Sequence, residues 1–134
     1  MYLFDTDIIS LVVKASPPPA LIDRLTKIPF ALQFTTSINA AEVFYGACQV
    51  ERSEAIVRAF ETLVLSRLTV LPFDLESARV FGRLKASLES RGQPRSEPDL
   101  RIAAIALHHG LTIVTGNIRH FSGIPGLAVE NWLA

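Results

Sequence analysis

Four polar residues of the sequence combine residue types and surroundings that could do chemistry: Asp5, Glu42, Asp99 and Asn117. Asp5 ends the apolar run YLF, Glu42 lies within the segment SINAAEVFYGA, and Asn117 follows the run TIVT after one glycine. Three carboxylates brought close together repel one another, and a divalent cation between them relieves the repulsion. Because the ligands are hard oxygen atoms, that cation would be Mg²⁺ or Mn²⁺. Such an ion holds phosphate oxygens and lowers the pKa of a bound water, so the residues indicate displacement chemistry at phosphorus.

Asp99 and the neighbouring Asp7 also have structural interpretations, whereas Glu42 does not. Asp7 is a plausible N-cap of the helix that follows it, and Asp99 follows Ser96 at the spacing of a capping box. Glu42 lies past the first turn of its predicted helix, where capping does not explain it. With apolar neighbours on both sides, we expect its carboxylate to be paired or to bind a metal. Gly46, one turn later, lowers helix propensity by about 1 kcal/mol relative to alanine, which suggests that space is needed there.

The elements that must position these residues are strands and helices in alternation. Strands are predicted at residues 2–4, 30–35, 68–72 and 111–115, with an edge strand at 128–130. Helices are predicted at residues 7–14, 20–28, 53–66 and 99–109, with a short turn or helix at 117–121. Two further helices are predicted with caps, one at Thr36 or Ser37 running to about Val50, and one at Asp74 running to about Ser90 before Gly92.

This alternation predicts an α/β fold in three layers, α/β/α, with a central parallel sheet of about four to five strands. The whole chain, residues 1–134, is expected to form one domain. In open parallel sheets the functional site lies beyond the carboxyl ends of the strands. That rule selects Asp5 at the end of the first strand, the loop leading to the Glu42 helix, and residues 115–117.

Composition places the chain among ordinary globular proteins. It has 134 residues, of which 49% are hydrophobic and 19% charged, enough to close a core without disulfides. The single Cys48 cannot form an internal disulfide, which fits a reducing compartment. The apolar run at residues 8–13 is too short for a signal peptide or a membrane span, so we expect a cytoplasmic protein.

Thirteen basic residues balance thirteen acidic ones, so the chain as a whole is not a polycation built for nucleic acid. The basic residues are unevenly spread, however. The stretch from Arg79 to Arg101 includes Arg83 and Arg95, and Arg79 and Arg83 share one helical face. A solvated helix face explains this pattern as well as a binding surface does.

Taken in order, four motifs resemble those of the PIN-domain ribonucleases, and more closely of the VapC toxins of VapBC toxin–antitoxin modules. These motifs are YLFDTD at the start, EVFYG, DLRIAAIA joined to GLTIVT, and TGNIRHF near the end. Each motif is weak alone, but their order and spacing cover essentially the whole chain. The resemblance implies a PIN-like fold and a hydrolytic, metal-dependent endoribonuclease that acts on RNA as a toxin.

The resemblance also implies roles for individual residues. Asp5, Glu42 and Asp99 match the three acidic metal ligands of the family, which bind Mg²⁺ or Mn²⁺. Thr6 and Thr115 match hydroxyl positions near the metal centre. Asn117 stands where many members have a fourth acid, so the site has one negative charge fewer and a second metal position is left open.

The partners implied by the resemblance are RNA, a cognate VapB-type antitoxin and a second copy of the chain in a homodimer. An antitoxin tail usually fills the groove that RNA would occupy. Arg79, Arg83, Arg95 and Arg101 are therefore candidates to bind either RNA phosphates or antitoxin carboxylates.

Two other functions remain open at this point. FDTDII resembles the D-x-D motif of haloacid-dehalogenase-like phosphatases, with Asp5 as nucleophile and Asp7 as acid/base, but TGNIRH replaces the later acidic pair of that family. A non-catalytic PIN-like module that binds RNA or protein is the second alternative, and Asn117 favours it.

The remaining candidate groups are expected to be structural. His108 and His109 end a helix, where a cation is favoured, and His120 is expected to pack and form hydrogen bonds. The hydroxyl and thiol groups lack the His and acid partners that a nucleophilic triad needs.

Overall fold

The computed structural model describes residues 1–13 and 17–133 and contains a five-stranded sheet in the order β3-β2-β1-β4-β5, with all neighbours parallel. The strands are β1 (Tyr2–Phe4), β2 (Gln33–Thr36), β3 (Thr69–Leu71), β4 (Thr112–Val114) and β5 (Val129–Glu130). β1 lies at the centre, so its carboxyl end is flanked by those of β2 and β4. The predicted parallel sheet of four to five strands is confirmed, with residues 128–130 supplying an edge strand.

Across residues 1–13 and 17–133, six α-helices connect the strands. They are α1 (Thr6–Val13), α2 (Pro19–Thr26), α3 (Ser37–Ala47), α4 (Ser53–Phe60), α5 (Leu75–Ser90) and α6 (Glu97–His109). The predicted end of the first helix at Lys14 lies outside the described residues. Within the described part of the chain, no helix is both long and apolar enough to cross a membrane.

Side-chain caps start three of the helices where the sequence predicts them. Thr36 Oγ1 accepts a hydrogen bond from the Asn39 N–H at the start of α3. At the start of α5, Asp74 Oδ1 accepts a hydrogen bond from the Ser77 N–H. The Ser96 hydroxyl accepts from the Asp99 N–H and starts α6. Gly110 ends α6 in the left-handed conformation, with φ of 68°. These local signals explain why the boundaries of α5 and α6 were predictable.

Most element boundaries differ from the prediction by one or two residues, and three segments differ more. Residues 30–32 form a 3₁₀ turn after Pro29, so β2 begins only at Gln33. α3 ends at Ala47 rather than Val50. The predicted helix at residues 53–66 changes after Phe60 into a π-helical segment, Glu61–Leu65. Apolar periodicity does not distinguish these turn types from an α-helix or a strand.

Two apolar cores cover the two faces of the sheet, which confirms the three-layer α/β/α arrangement. Successive residues of a strand point to opposite faces, and accordingly Leu3 packs with α5 and α6 while Phe4 packs with α1 to α4. α6 buries residues 102–106 completely. Asp99, one turn earlier on this helix, is therefore held rigidly relative to the sheet.

Candidate active site

The candidate site lies at the carboxyl ends of β1 and β4. Asp5 directly follows β1, and its backbone N–H donates to the Val114 carbonyl oxygen at 3.0 Å. Thr115 directly follows β4 and is fully buried, and Asp5 is only 6% exposed. The two side chains meet because parallel strands end at the same edge.

Three donors fix the Asp5 carboxylate. Thr115 Oγ1 donates to one of its oxygens, Oδ2, at 2.8 Å. The other oxygen, Oδ1, accepts from the backbone N–H of Thr6 at 2.9 Å and from Asn39 Nδ2 at 3.1 Å. A carboxylate held this way is preorganised to act as a ligand.

Burial raises the pKa of Asp5 from 3.8 to about 6. Hydrogen bonds from Thr115 and Thr6 oppose this rise in pKa, and the nearby carboxylates of Asp7 and Asp99 add to it. The site thus holds a buried carboxylate facing other negative charge. A divalent cation would stabilise the ionised form of Asp5, and the all-oxygen donor set fits Mg²⁺ or Mn²⁺.

Glu42 lies on the side of α3 that borders the site. Thr6 Oγ1 donates to its Oε1 at 3.1 Å, which links it to Asp5 through a neighbouring residue. The expectation of an apolar environment for Glu42 is wrong, because the residue is exposed to solvent and the helix buries Ala40, Val43 and Ala47 instead. Among the described residues, nothing lies within 4 Å of a Cβ placed on Gly46, so the space expected to be needed there is open.

Asp99 lies in the first turn of α6, and its side chain is 19% exposed. Its Oδ2 is 3.3 Å from His120 Nδ1, an ion pair whenever the imidazole is protonated. His120 thus contacts a candidate metal ligand.

The interpretation of Asp7 as an N-cap is wrong. α1 begins at Thr6, so Asp7 lies inside the helix and does not precede it. Its Oδ2 accepts from the backbone N–H of Gly116 at 2.8 Å and from Asn117 Nδ2 at 3.4 Å. Thr115 Oγ1, which holds Asp5, is also 3.4 Å from Asp7 Oδ1. Asp7 therefore connects α1 to the segment after β4, next to the predicted ligands.

Asn117 contributes to the same connection. Its backbone N–H donates to Thr115 Oγ1 at 2.9 Å, and its side-chain amide faces Asp7. The structure thus brings together all four candidate catalytic residues and the three supporting residues at one edge of the sheet.

Asn39 belongs to the site although the sequence analysis did not select it. It is completely buried, and its Nδ2 donates to both Asp5 Oδ1 and Thr6 Oγ1, the latter at 3.0 Å. Its Oδ1 accepts from Thr36 Oγ1 at 2.6 Å. The sequence contains one feature that could have identified Asn39. It lies three residues before Glu42, so the two side chains share neighbouring parts of one helix surface.

The three predicted metal ligands are near one another without forming a closed cage. Among the described residues, their carboxylate oxygens do not all come within 4.8 Å of one another. Glu42 is the exposed member of the set. Holding one ion between all three ligands therefore requires some movement of side chains.

The four candidate arginines differ in their contacts. Arg79 pairs with Glu76, and Arg101 pairs with Glu97 while lying over the Phe73 ring. Arg83 is exposed, and among the described residues it has no ion pair.

Arg95 is held by the backbone of its own surroundings. Its guanidinium donates to the carbonyl oxygens of Gln93 at 2.7 Å and Ser122 at 2.6 Å. These contacts tie the loop before α6 to the turn after β4, so Arg95 has a structural role in addition to any binding role.

Comparison with known proteins finds matches over nearly the whole chain. Residues 2–127 match the PIN domain family. The chain is 36% identical to ribonuclease VapC2 of Haemophilus influenzae, covering 98% of both proteins. It is 33% identical to the tRNA(fMet)-specific endonuclease VapC of Salmonella typhimurium, covering 98% of this chain and 97% of the relative. Among solved structures, VapBC2 from Rickettsia felis bound to a promoter DNA fragment matches with a TM-score of 0.89 and 30% identity, covering 98% of both chains.

Proposed function

Because this chain belongs to the PIN-domain family, within its VapC ribonucleases, we propose that it is an endoribonuclease that uses Mg²⁺ or Mn²⁺ to hydrolyse RNA and acts as the toxin of a toxin–antitoxin module. The observation that carries the proposal is the buried Asp5 carboxylate, fixed by three donors and facing Asp99. Family membership argues against the alternative of a haloacid-dehalogenase-like phosphatase. Both carboxylate oxygens of Asp7 also accept backbone hydrogen bonds, Oδ2 from Gly116 and Oδ1 from Ile8, which is typical of a carboxylate that positions backbone rather than one that exchanges a proton with substrate.

Asp5, Glu42 and Asp99 are the residues that would hold the metal ion. When bound, a divalent ion of this kind lowers the pKa of a water and stabilises negative charge on phosphate oxygens. Thr115 and Asn39 orient Asp5, and Thr6 orients Glu42. Asp7 and Asn117 lie beyond the ligands and hold the segment that carries Thr115.

The hydroxyl groups at the site serve as orienting donors rather than nucleophiles. Thr115 donates to Asp5 and Thr6 donates to Glu42. In the described part of the chain, neither is hydrogen-bonded to a histidine that could take its proton. Attack on RNA phosphorus is therefore proposed to come from water, with no covalent enzyme intermediate.

The proposed partners follow from the relatives. One matching solved structure is a VapBC complex on promoter DNA, and matched relatives are named as ribonucleases. We expect a small cognate antitoxin to bind this chain near the acidic site, and two copies of the chain to form a homodimer. Exposed arginines such as Arg83 could bind RNA phosphate or antitoxin carboxylate with the same fork of donors.

The test is cleavage of a mixed RNA pool by metal-free protein to which Mg²⁺ or Mn²⁺ is added back. We expect cleavage only with metal, and a loss of at least about 100-fold in Asp5→Asn, because a ligand is removed while the side-chain volume is kept. Asp23→Asn is the matched control, since Asp23 is exposed and pairs only with Lys27 among the described residues.

Three other outcomes of this assay would each contradict one part of the proposal. Equal cleavage by wild type and Asp5→Asn would indicate a contaminating nuclease and would contradict the site assignment. RNA binding without cleavage at any metal concentration would favour a non-catalytic PIN-like module. Cleavage that persists fully in a chelator would contradict the metal requirement alone.

A further inference from the structure

A second group of metal-ligating side chains lies at the opposite end of α6 from Asp99. Asp74, His108 and His109 each offer one ligand atom, and these atoms all lie within 4.8 Å of one another. His109 lies ten positions after Asp99 on the same helix, which corresponds to about 15 Å along its axis. The group is therefore spatially separate from the acidic site described above.

Two helix ends bring these three residues together. Asp74 is the N-cap of α5 and uses Oδ1 to accept from the Ser77 N–H at 2.9 Å. His108 and His109 are the last two residues of α6, before Gly110 turns the chain away. The start of α5 and the end of α6 are thus adjacent, and capping uses only one of the two carboxylate oxygens of Asp74.

The two imidazoles are arranged as neighbouring donors. Their ring centroids are 4.6 Å apart, although adjacent side chains on a helix usually diverge. His109 Nε2 is buried and has no hydrogen-bond partner among the described residues. A buried ring nitrogen without a partner costs free energy, and a metal ion bound at this nitrogen would remove that cost. The carboxyl end of a helix also favours a cation.

We propose that Asp74, His108 and His109 form a second metal site, specific for a borderline transition-metal ion of the Zn²⁺ class, that fastens the start of α5 to the end of α6. Two imidazoles and one carboxylate suit such an ion, with water completing four-fold coordination. The acidic site offers only oxygen and suits Mg²⁺ or Mn²⁺. One chain would therefore hold two metals of different class, one for cleavage and one for stability. The proposal does not depend on the proposed ribonuclease activity.

The test uses the full chain without a histidine tag, stripped of metal, in the Asp5→Asn background so that the acidic site is weakened. Zn²⁺ is titrated by calorimetry in the presence of excess Mg²⁺, and the melting temperature is recorded with and without Zn²⁺. We expect one saturable Zn²⁺ site per chain and a rise of several degrees in melting temperature at saturation.

Two variants remove ligands without removing the fold. Asp74→Ser keeps the helix cap, because serine caps as well as aspartate, but it lacks the carboxylate. His108→Gln changes an exposed ligand. Each is expected to weaken Zn²⁺ affinity at least about tenfold and to abolish the Zn²⁺-dependent rise in melting temperature, with little change in the metal-free melting temperature.

Two control variants separate this site from other zinc ligands of the chain. His120→Gln removes the histidine next to Asp99, and Cys48→Ser removes the exposed thiol. Both are expected to bind Zn²⁺ like the parent. Loss of binding in either control, unchanged affinity in Asp74→Ser, or the absence of saturable binding in the parent would overturn the proposal.

Discussion

The carboxylate of Asp7 and the backbone N–H of Gly116 are joined by a hydrogen bond of 2.8 Å that spans 109 positions of sequence. A Cβ on Gly116 would lie 2.7 Å from Asp7 Oδ2 and 2.8 Å from Leu133 Cδ1. A side chain at position 116 would therefore displace the Asp7 carboxylate or the end of the Leu133 side chain, so glycine favours this close approach of the segment after β4 to α1. This contact holds Thr115 next to Asp5, on which the proposed site depends.

Gly116→Ala is expected to lower the free energy of unfolding by about 1–3 kcal/mol, because the methyl group displaces Asp7 or Leu133. Gly46→Ala is the matched control. It lies within α3, and no atom of residues 1–13 and 17–133 comes within 4 Å of the added Cβ, so it should raise the free energy of unfolding by about 0.5–1 kcal/mol. Urea unfolding of both variants checks this, and equal effects at the two glycines would contradict it.

Asp7→Asn is expected to reduce cleavage far less than Asp5→Asn. Asp5 is the buried carboxylate at the end of β1, whereas Asp7 holds Gly116 and Asn117 from outside the ligand set. An amide oxygen at position 7 can still accept from the Gly116 N–H. Cleavage rates measured across a metal titration give the comparison, and a larger loss in Asp7→Asn would reverse the assigned roles.

The sequence predicted the fold well because its signals are local. Apolar runs mark the strands. Helices are capped at their starts by Thr36, Asp74 and Ser96, and one helix ends at Gly110. The rule that parallel strands end at one edge then placed Asp5 beside residues 115–117. Each of these inferences needs only neighbouring residues and one general property of parallel sheets.

The parts of the site that were not predicted depend on contacts between distant segments. Asp7 can be a cap by its local sequence, but α1 begins one residue earlier at Thr6, and the Asp7 carboxylate accepts from Gly116. Glu42 has apolar neighbours in sequence, yet Val43 and Ala47 turn inward and leave it exposed. Asn39 is a polar residue near a helix start, a position where asparagine is common for reasons unrelated to function.

Asn39→Ala is expected to reduce cleavage at least about tenfold and to increase the metal concentration needed for half-maximal rate. It removes the amide that holds Asp5 Oδ1 and Thr6 Oγ1, so the ligands become less well oriented. A loss of about 1–3 kcal/mol in unfolding free energy should accompany it, since Thr36 Oγ1 loses its partner.

Ser37→Ala is the control for Asn39→Ala, because Ser37 is exposed at the start of the same helix. It should leave both the cleavage rate and the metal requirement unchanged. If Asn39→Ala lowered stability but left the metal requirement at the wild-type value, the positioning role would be wrong and Asn39 would be structural only.

Arg83→Ala and Arg95→Ala are expected to have different effects. Arg83 is exposed, so its removal should weaken RNA or antitoxin binding without changing stability. Arg95 donates to the carbonyls of Gln93 and Ser122, so its removal should lower the melting temperature by several degrees. Thermal unfolding and RNA binding at two salt concentrations distinguish them. Identical behaviour of the two variants would contradict the assignment.

The raised pKa of Asp5 predicts how the stability of the metal-free protein depends on pH. Its folded pKa of about 6 exceeds the ordinary value of 3.8, so the folded state binds the proton more tightly. The resulting stabilisation is fully present below pH 3.8 and is lost as pH rises through about 6. The change corresponds to about 3 kcal/mol. Asp5→Asn cannot ionise and should therefore become more stable than wild type as pH rises from about 4 to 8.

Urea unfolding in a chelator at several pH values measures this difference between wild type and Asp5→Asn. Asp23→Asn, which changes an exposed carboxylate, should follow wild type across the series. Adding Mg²⁺ or Mn²⁺ at pH 8 should raise the stability of wild type and leave Asp5→Asn nearly unchanged, because a bound cation stabilises the ionised carboxylate. A stability difference that did not vary with pH would mean that Asp5 titrates normally and that its burial does not oppose ionisation.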